Sequence, residues 1–153
     1  MKKIALCICQ RIGYLFLLLL TPFPAQSDEL FSSAQQRKEI ILNFYKKLGE
    51  KELGARLQSL DNLAQSYKDH DPFLEGDKES LAELIKKNPI DTRVKNVFSD
   101  GDYVIAHVHY VLYPEIAGQS GMDIFRFEND RIAERWTVLQ PIPLKSLNKN
   151  GIF

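Results

Sequence analysis

Apolar residues recur at helical spacing through the first half of the chain and at alternating positions through the second. Ile40, Ile41, Phe44, Tyr45 and Leu48 follow intervals of three and four, and Ser32 and Ser33 each precede a glutamine by three residues. This pattern predicts an amphipathic helix that ends near Gly49. Leu53, Leu57, Leu60, Ala64 and Tyr67 repeat in the same way and predict a second helix. It closes at His70-Asp71-Pro72, because proline disfavours helix in the residue before it. A third, short helix carries Leu81, Leu84 and Ile85 and stops at Asn88-Pro89. Beyond Pro89 the spacing turns to strands. Val94 to Ser99 and Tyr103 to Leu112 flank the turn dipeptide Asp100-Gly101, while Met122 to Glu128 and Arg131 to Leu139 flank Asn129-Asp130. Pro114 to Gly121 is left as the loop between the two hairpins. Helices followed by an antiparallel meander predict an α+β domain in which a sheet curls over the helices.

The second hairpin carries the most pointed chemical question. With Asn129-Asp130 as a two-residue turn, Phe127 pairs with Ile132, Phe125 with Glu134 and Asp123 with Trp136, the only tryptophan of the chain. Asp123 then shares a face with Phe125, Phe127 and Glu134. A carboxyl among aromatic walls loses hydration, so its pKa is expected to rise and its ionised form to be the stronger base. Two readings follow. Asp123 acts on a ligand, or a neighbouring backbone group or tyrosine hydroxyl satisfies it and it only fixes strand register.

Composition alters this picture at the N-terminus. Lys2, Lys3 and Arg11 precede or interrupt apolar sequence, Ile12 to Leu20 is a nine-residue apolar run, and Ala25-Gln26-Ser27 offers small residues for cleavage. Residues 1–27 are therefore expected to be a signal peptide cleaved before Asp28, with residues 28–153 a single exported domain, periplasmic or secreted. An uncleaved anchor is the competing reading, although the apolar run is short for a bilayer span. Both cysteines, Cys7 and Cys9, lie in the leader, which leaves the domain without thiol chemistry or disulfides. Removing the leader leaves 17 Lys and Arg against 20 Asp and Glu. This acidic balance argues against nucleic acid or an anionic membrane as a partner.

His70, His107 and His109 are all the histidines present. His107 and His109 share one strand face with Tyr103, Ile105 and Val111. Three imidazoles invite a zinc site, but His-x-His on a strand with a distant third histidine is loose spacing, and structural histidines or a polar cavity wall are the alternatives. No metal is expected. No nucleophile motif accompanies Ser66, Ser80 or Ser120, and no glycine-rich phosphate loop is present.

The blocks Tyr67-x-x-His70-Asp71-Pro72, Ser99-Asp100-Gly101-Asp102, His107-Val108-His109-Tyr110, Asp123-Ile124-Phe125-Arg126-Phe127-Glu128-Asn129 and Trp136-x-Val138-Leu139-Gln140-Pro141 occur in this order. Together they resemble the SnoaL-like polyketide cyclases of the nuclear transport factor 2-like superfamily, in particular the bacterial branch described as aldol-condensation-catalysing. The likeness runs from about residue 35 to residue 153. It implies a cone-shaped curved antiparallel sheet packed on three N-terminal helices, open at one end, with acid/base chemistry on an apolar carbonyl compound and no cofactor. By the same likeness Asp123 is the acid/base or oxyanion-stabilising group, His70 and His109 are a polar wall with catalytic roles, and Trp136 is an apolar wall. His107, Phe125, Phe127, Tyr67 and Tyr103 complete the candidate ligand-binding set. A homodimer through the sheet is expected, and a non-catalytic ligand-binding or dimerisation module is the alternative function. Similar proteins often read Glu-His-Trp-Asp where this chain has Glu134-Arg135-Trp136-Thr137. The hairpin pairing above sends residues 135 and 137 away from Asp123 and predicts that these changes spare the pocket.

Overall fold

The computed structural model describes residues 26–87, 90–111 and 118–153. Most of the expected leader therefore lies outside the described residues, as do Asn88-Pro89 and most of the loop between the hairpins. No helix among the described residues is long and apolar enough to cross a membrane.

The elements run α1 (Gln26–Leu48), α2 (Leu53–Leu57), a 3-10 turn (Gln58–Asn62), β1 (Leu63–Asp69), α3 (Lys78–Lys87), β2 (Asp91–Asp100), β3 (Tyr103–Val111), β4 (Gln119–Glu128) and β5 (Arg131–Pro141). The five strands form one sheet in the order β1-β5-β4-β3-β2. Only the β1–β5 pair is parallel. Three helices and an open mixed sheet make an α+β fold, as the hydrophobic pattern predicts. The core lies between α1 and the concave face of the sheet. Ile41, Phe44, Tyr45 and Leu48 of α1 meet Val104, Ala106 and Val108 of β3, Phe125 and Phe127 of β4 and Ile132 of β5, all buried. Phe44 and Tyr45 each pack edge-on against Phe125, with ring centroids 5.8 and 6.1 Å away.

Three departures from the sequence pattern matter. The expected second helix stops at Leu57, and the segment that carries Ala64 and Tyr67 is β1. Its intervals of three and four suit a helix, yet as a strand it buries Leu63, Tyr67 and Asp69 and leaves Gln65, Ser66 and Lys68 exposed. The free edge of β5 supplies the backbone partners that decide the outcome. His70 therefore follows a strand, not a helix. Helix α1 begins before Ser32 and Ser33, so neither serine is its cap. The third departure lies in the β4–β5 hairpin. Asn129 and Asp130 have φ of 50° and 57°, the two-residue turn expected of that dipeptide, and Phe127 pairs with Ile132. The next pair, however, is Arg126 with Glu134. Ala133 is an extra residue in β5, a β-bulge that shifts every later pair by one. Asp123 lies opposite Thr137, and Trp136 lies opposite Ile124.

Candidate active site

The bulge exchanges the faces of β5. Ile132 and Ala133 are both buried, after which Arg135 and Thr137 point inward with Asp123 and Phe125, while Glu134 and Trp136 point outward. The expectation that residues 135 and 137 avoid the pocket is thus overturned. Arg135 and Thr137 therefore stand on the same face as Asp123.

Asp123 is fully buried. Its Oδ2 accepts hydrogen bonds from the hydroxyls of Tyr45 on α1 and Tyr110 on β3. Its Oδ1 has no hydrogen-bond partner among the described residues, and neither does the buried Thr137 Oγ1 across the strand pair. Directly opposed side chains on an antiparallel pair have Cβ atoms about 5 Å apart, so one small polar atom can meet both orphaned oxygens. Burial pushes the Asp123 carboxyl above its ordinary value, against the pull of Arg135, the two tyrosine hydroxyls and the Thr137 hydroxyl, which lies near enough to act on the carboxyl without closing a hydrogen bond to Oδ1. Burial, with the neighbouring Asp123 charge, also raises Tyr45 and Tyr110 well above the usual phenol range, so both act as neutral hydrogen-bond donors.

Tyr110 reaches Asp123 because Gly121 has no side chain. A methyl group there would sit 2.5 Å from Tyr110 Cε2 and 2.9 Å from its Cδ2. Deeper in the cone, Arg135 Nη2 donates to Asp69 Oδ2 at 2.8 Å, and the Tyr67 hydroxyl donates to the same oxygen at 2.7 Å. Asp69 Oδ1 accepts from the Asp71 backbone N–H at 3.0 Å. Burial would lower Arg135, but Tyr67, Asp123 and Asp69 hold it above its ordinary value, so it is a fixed cation. The inward row of β5 grows more exposed from Ala133 (2%) and Arg135 (6%) through half-buried Thr137 to Leu139 (36%). Clefts of about 400 and 560 Å³ on the outer surface, beside α3, include none of these residues.

The sequence candidates divide between two faces. Asp123, Phe125, Phe127 and Tyr67 lie inside. His70, Trp136, His107, His109 and Tyr103 lie on or beside the convex face and form no wall around Asp123. The His70 ring stacks flat on Trp136, with centroids 4.5 Å apart at 2°, and its Nε2 meets Glu134 Oε2 at 2.9 Å. Glu134 is held in turn by Arg126 Nε at 2.9 Å. His107 Nε2 is 2.9 Å from Ser120 Oγ, and the Phe153 ring covers both His107 and His109 at 5.2 and 4.9 Å. No group of three or more His, Cys, Asp or Glu side chains capable of holding a metal occurs among the described residues. Tyr45, Tyr110 and Asp69 were not singled out by sequence, and Arg135 and Thr137 were expected to point away from Asp123. The available signal was a tyrosine on the apolar stripe of α1 and another in phase with Ala106 and Val108, since a buried hydroxyl needs a partner.

No family model matches the chain, and no curated protein matches it by sequence. Solved structures do match it in shape. An NTF2-like protein of unknown function from Cytophaga hutchinsonii has a TM-score of 0.58 at 14% identity, covering 69% of this chain and 90% of that one. A ketosteroid isomerase-like protein from Kribbella flavida has a TM-score of 0.60 at 10% identity, covering 79% and 90%. A SnoaL-like protein of unknown function from Burkholderia thailandensis has a TM-score of 0.56 at 14% identity, covering 71% and 96%. At such identities the likeness establishes the fold, which is that of the NTF2-like, SnoaL-like proteins.

Proposed function

We propose that this chain, with its NTF2-like, SnoaL-like fold, binds a small carbonyl compound in the mouth of the cone and that Asp123 moves a proton alpha to the carbonyl. The observation that supports this is the asymmetry of the Asp123 carboxyl, with Oδ2 anchored by two phenols and Oδ1 buried and unpaired. An anchored carboxylate with one free oxygen is the form a general base takes, and its raised pKa strengthens it as a base. In the step proposed, Oδ1 takes the α-proton, the C–H electron pair moves into the enolate, and the Thr137 hydroxyl donates to the developing oxyanion. Return of that proton from Asp123 to another carbon completes an isomerisation. Alternatively, the enolate carbon attacks a second carbonyl, its C=O π pair moves to oxygen, and Asp123 returns its proton to the resulting alkoxide, which completes an aldol-type closure. Side chains alone carry this chemistry.

The test is deuterium exchange into an enolisable ketone, followed by NMR. Wild type should exchange the α-position faster as pH rises and Asp123 ionises, and Asp123→Asn should lose that activity. Equal exchange by both proteins sinks the base role. Mass spectrometry of co-purified ligand would name the carbonyl compound. Export remains part of the proposal, and loss of about 27 residues in the intact mass of exported protein is its check.

A second reading rests on the convex face. Phe98 (56% exposed), Tyr103, Met122 and Val138 (61%) stand there beside half-buried Ile105, Ile124 and Trp136. These form a patch suited to a second copy of the chain in a non-catalytic or dimerising module. Sedimentation of wild type against Val138→Lys tests it. A shift to monomer supports the dimer, and a monomeric wild type removes it.

A further inference from the structure

Two acids, Asp69 and Asp123, are buried among the described residues, and the cationic side chain linked to both is Arg135. Arg135 stands inward on β5, opposite Phe125 and one cross-strand row from the Asp123–Thr137 pair, and it is also the parallel-strand partner of Asp69 on β1. A guanidinium carries five donors, and Arg135 Nε is buried with no partner, so its capacity to bond is not exhausted. Nevertheless it bonds Asp69 and forms no ion pair with Asp123. Asp69 secures it with a full set of contacts: Arg135 Nη2 and the Tyr67 hydroxyl on Oδ2, and the Asp71 backbone N–H on Oδ1.

We propose that Asp69 is a positioning residue for the Asp123 centre, taking Arg135 as its ion-pair partner and so keeping the guanidinium from closing on Asp123 Oδ1. The inference rests on the base role proposed for Asp123. A buried guanidinium deprived of its counter-ion is strongly unfavourable. With Asp69 neutralised, the remaining buried carboxyl is Asp123, and Arg135 would ionise and occupy it. The free oxygen would then be consumed by a permanent salt bridge, and the raised affinity for a proton would be lost. The other groups facing Asp123 cannot have this effect: Tyr45 from α1 and Tyr110 from β3 are neutral donors, Thr137 is uncharged, and Tyr67 is committed to Asp69.

The titration of Asp123 followed by carboxyl carbon NMR tests this without any ligand. Asp69→Asn should lower the proton affinity of Asp123 at least about tenfold, a fall of one pH unit in its midpoint. Asp69→Glu, which keeps the charge, should hold the midpoint within about half a unit of wild type. Asp69→Asn combined with Arg135→Met removes the pair as a unit, a replacement that buried ion pairs commonly tolerate, and it keeps the test decisive should the single variant not fold. In that double variant the midpoint should stay within about one unit of wild type. An Asp69→Asn midpoint at or above the wild-type value overturns the proposal. So does a double-variant midpoint more than one unit higher, since the pull of Arg135 would then already be that of a bonded ion-pair partner of Asp123 in the native protein. If Asp123→Asn leaves ketone exchange unchanged, the base role fails while the titration result still stands.

Discussion

Replacing Asp123 by asparagine keeps the size of the side chain and an oxygen for the hydroxyls of Tyr45 and Tyr110, and it removes a single ionisation. Because burial raises the carboxyl in the folded protein, the native state holds a proton on Asp123 at pH values where the unfolded chain, with an ordinary aspartate near 3.9, has released it. The folded state thus binds more protons than the unfolded state, and the linkage relation makes the contribution of Asp123 to stability fall as pH rises. It is fully present below the unfolded pKa and is lost between there and the native pKa, at about 1.4 kcal/mol for each pH unit. Above the native pKa it is constant. Other carboxyls work in the opposite sense, notably Glu134, held down by His70 and then Arg126. The quantity to measure is therefore the difference between wild type and Asp123→Asn in urea unfolding from pH 3.5 to 8, in which those contributions cancel. The Asn variant should gain on wild type steadily above pH 4 and then hold a constant lead. A difference that moves the other way would mean that Asp123 is an ion-pair carboxylate with a lowered pKa, and a flat difference that its burial has no electrostatic consequence. Either result refutes the assignment of Asp123 as a desolvated carboxyl with a raised pKa.

Gly121→Ala should cost about 1–3 kcal/mol by overpacking the Tyr110 ring, and the same substitution should cost less in a Tyr110→Ala background, a coupling read from a double-mutant cycle in urea titrations. Trp136→Ala should remove the platform under His70, at about 1 kcal/mol beyond lost area, and leave the Asp123 titration and ketone exchange where they are. A changed exchange rate would put Trp136 back in the pocket. Deleting Ala133 removes the bulge yet leaves Arg126 opposite Glu134 and Asp123 opposite Thr137, so Arg135 and Thr137 should stay inward. The variant should lose the buried methyl and the local twist at about 1–3 kcal/mol in urea unfolding and keep the Asp123 titration where it is. A displaced titration would show that the bulge itself holds Arg135 or Thr137 in place.

Helix α1, helix α3 and the four strands after Pro89 are legible in the sequence because helical spacing gives way to alternation there and turn dipeptides separate the paired strands. Even there, the first hairpin turns on Gly101 and Asp102 rather than on Asp100-Gly101, since Asp100 still pairs with Tyr103. The segment around Tyr67 is not legible in this way. Leu63, Tyr67 and Asp69 satisfy a strand, and Leu60, Ala64 and Tyr67 satisfy a helix. Only the vacant edge of β5, a long-range feature, separates the two.

The site was half legible for a similar reason. Asp123, Phe125 and Phe127 could be placed on one face because their alternation is local, but what lies opposite them depends on counting residues through a hairpin. The local sequence Ile132-Ala133-Glu134 does not announce a bulge: both Ile132 and Ala133 are small enough to be buried together, and the structure buries both. One uncounted residue exchanges Trp136 for Thr137 as the neighbour of Asp123 and turns Arg135 from an expected surface residue into a buried cation beside Asp69. It also moves His70 out of the pocket, because the histidine follows its stacking partner Trp136 to the convex side. The side chains at positions 135 and 137 therefore border the proposed chemistry, and the proton transfer proposed here runs through a carboxyl flanked by two phenols and a threonine, with an arginine tethered one row away.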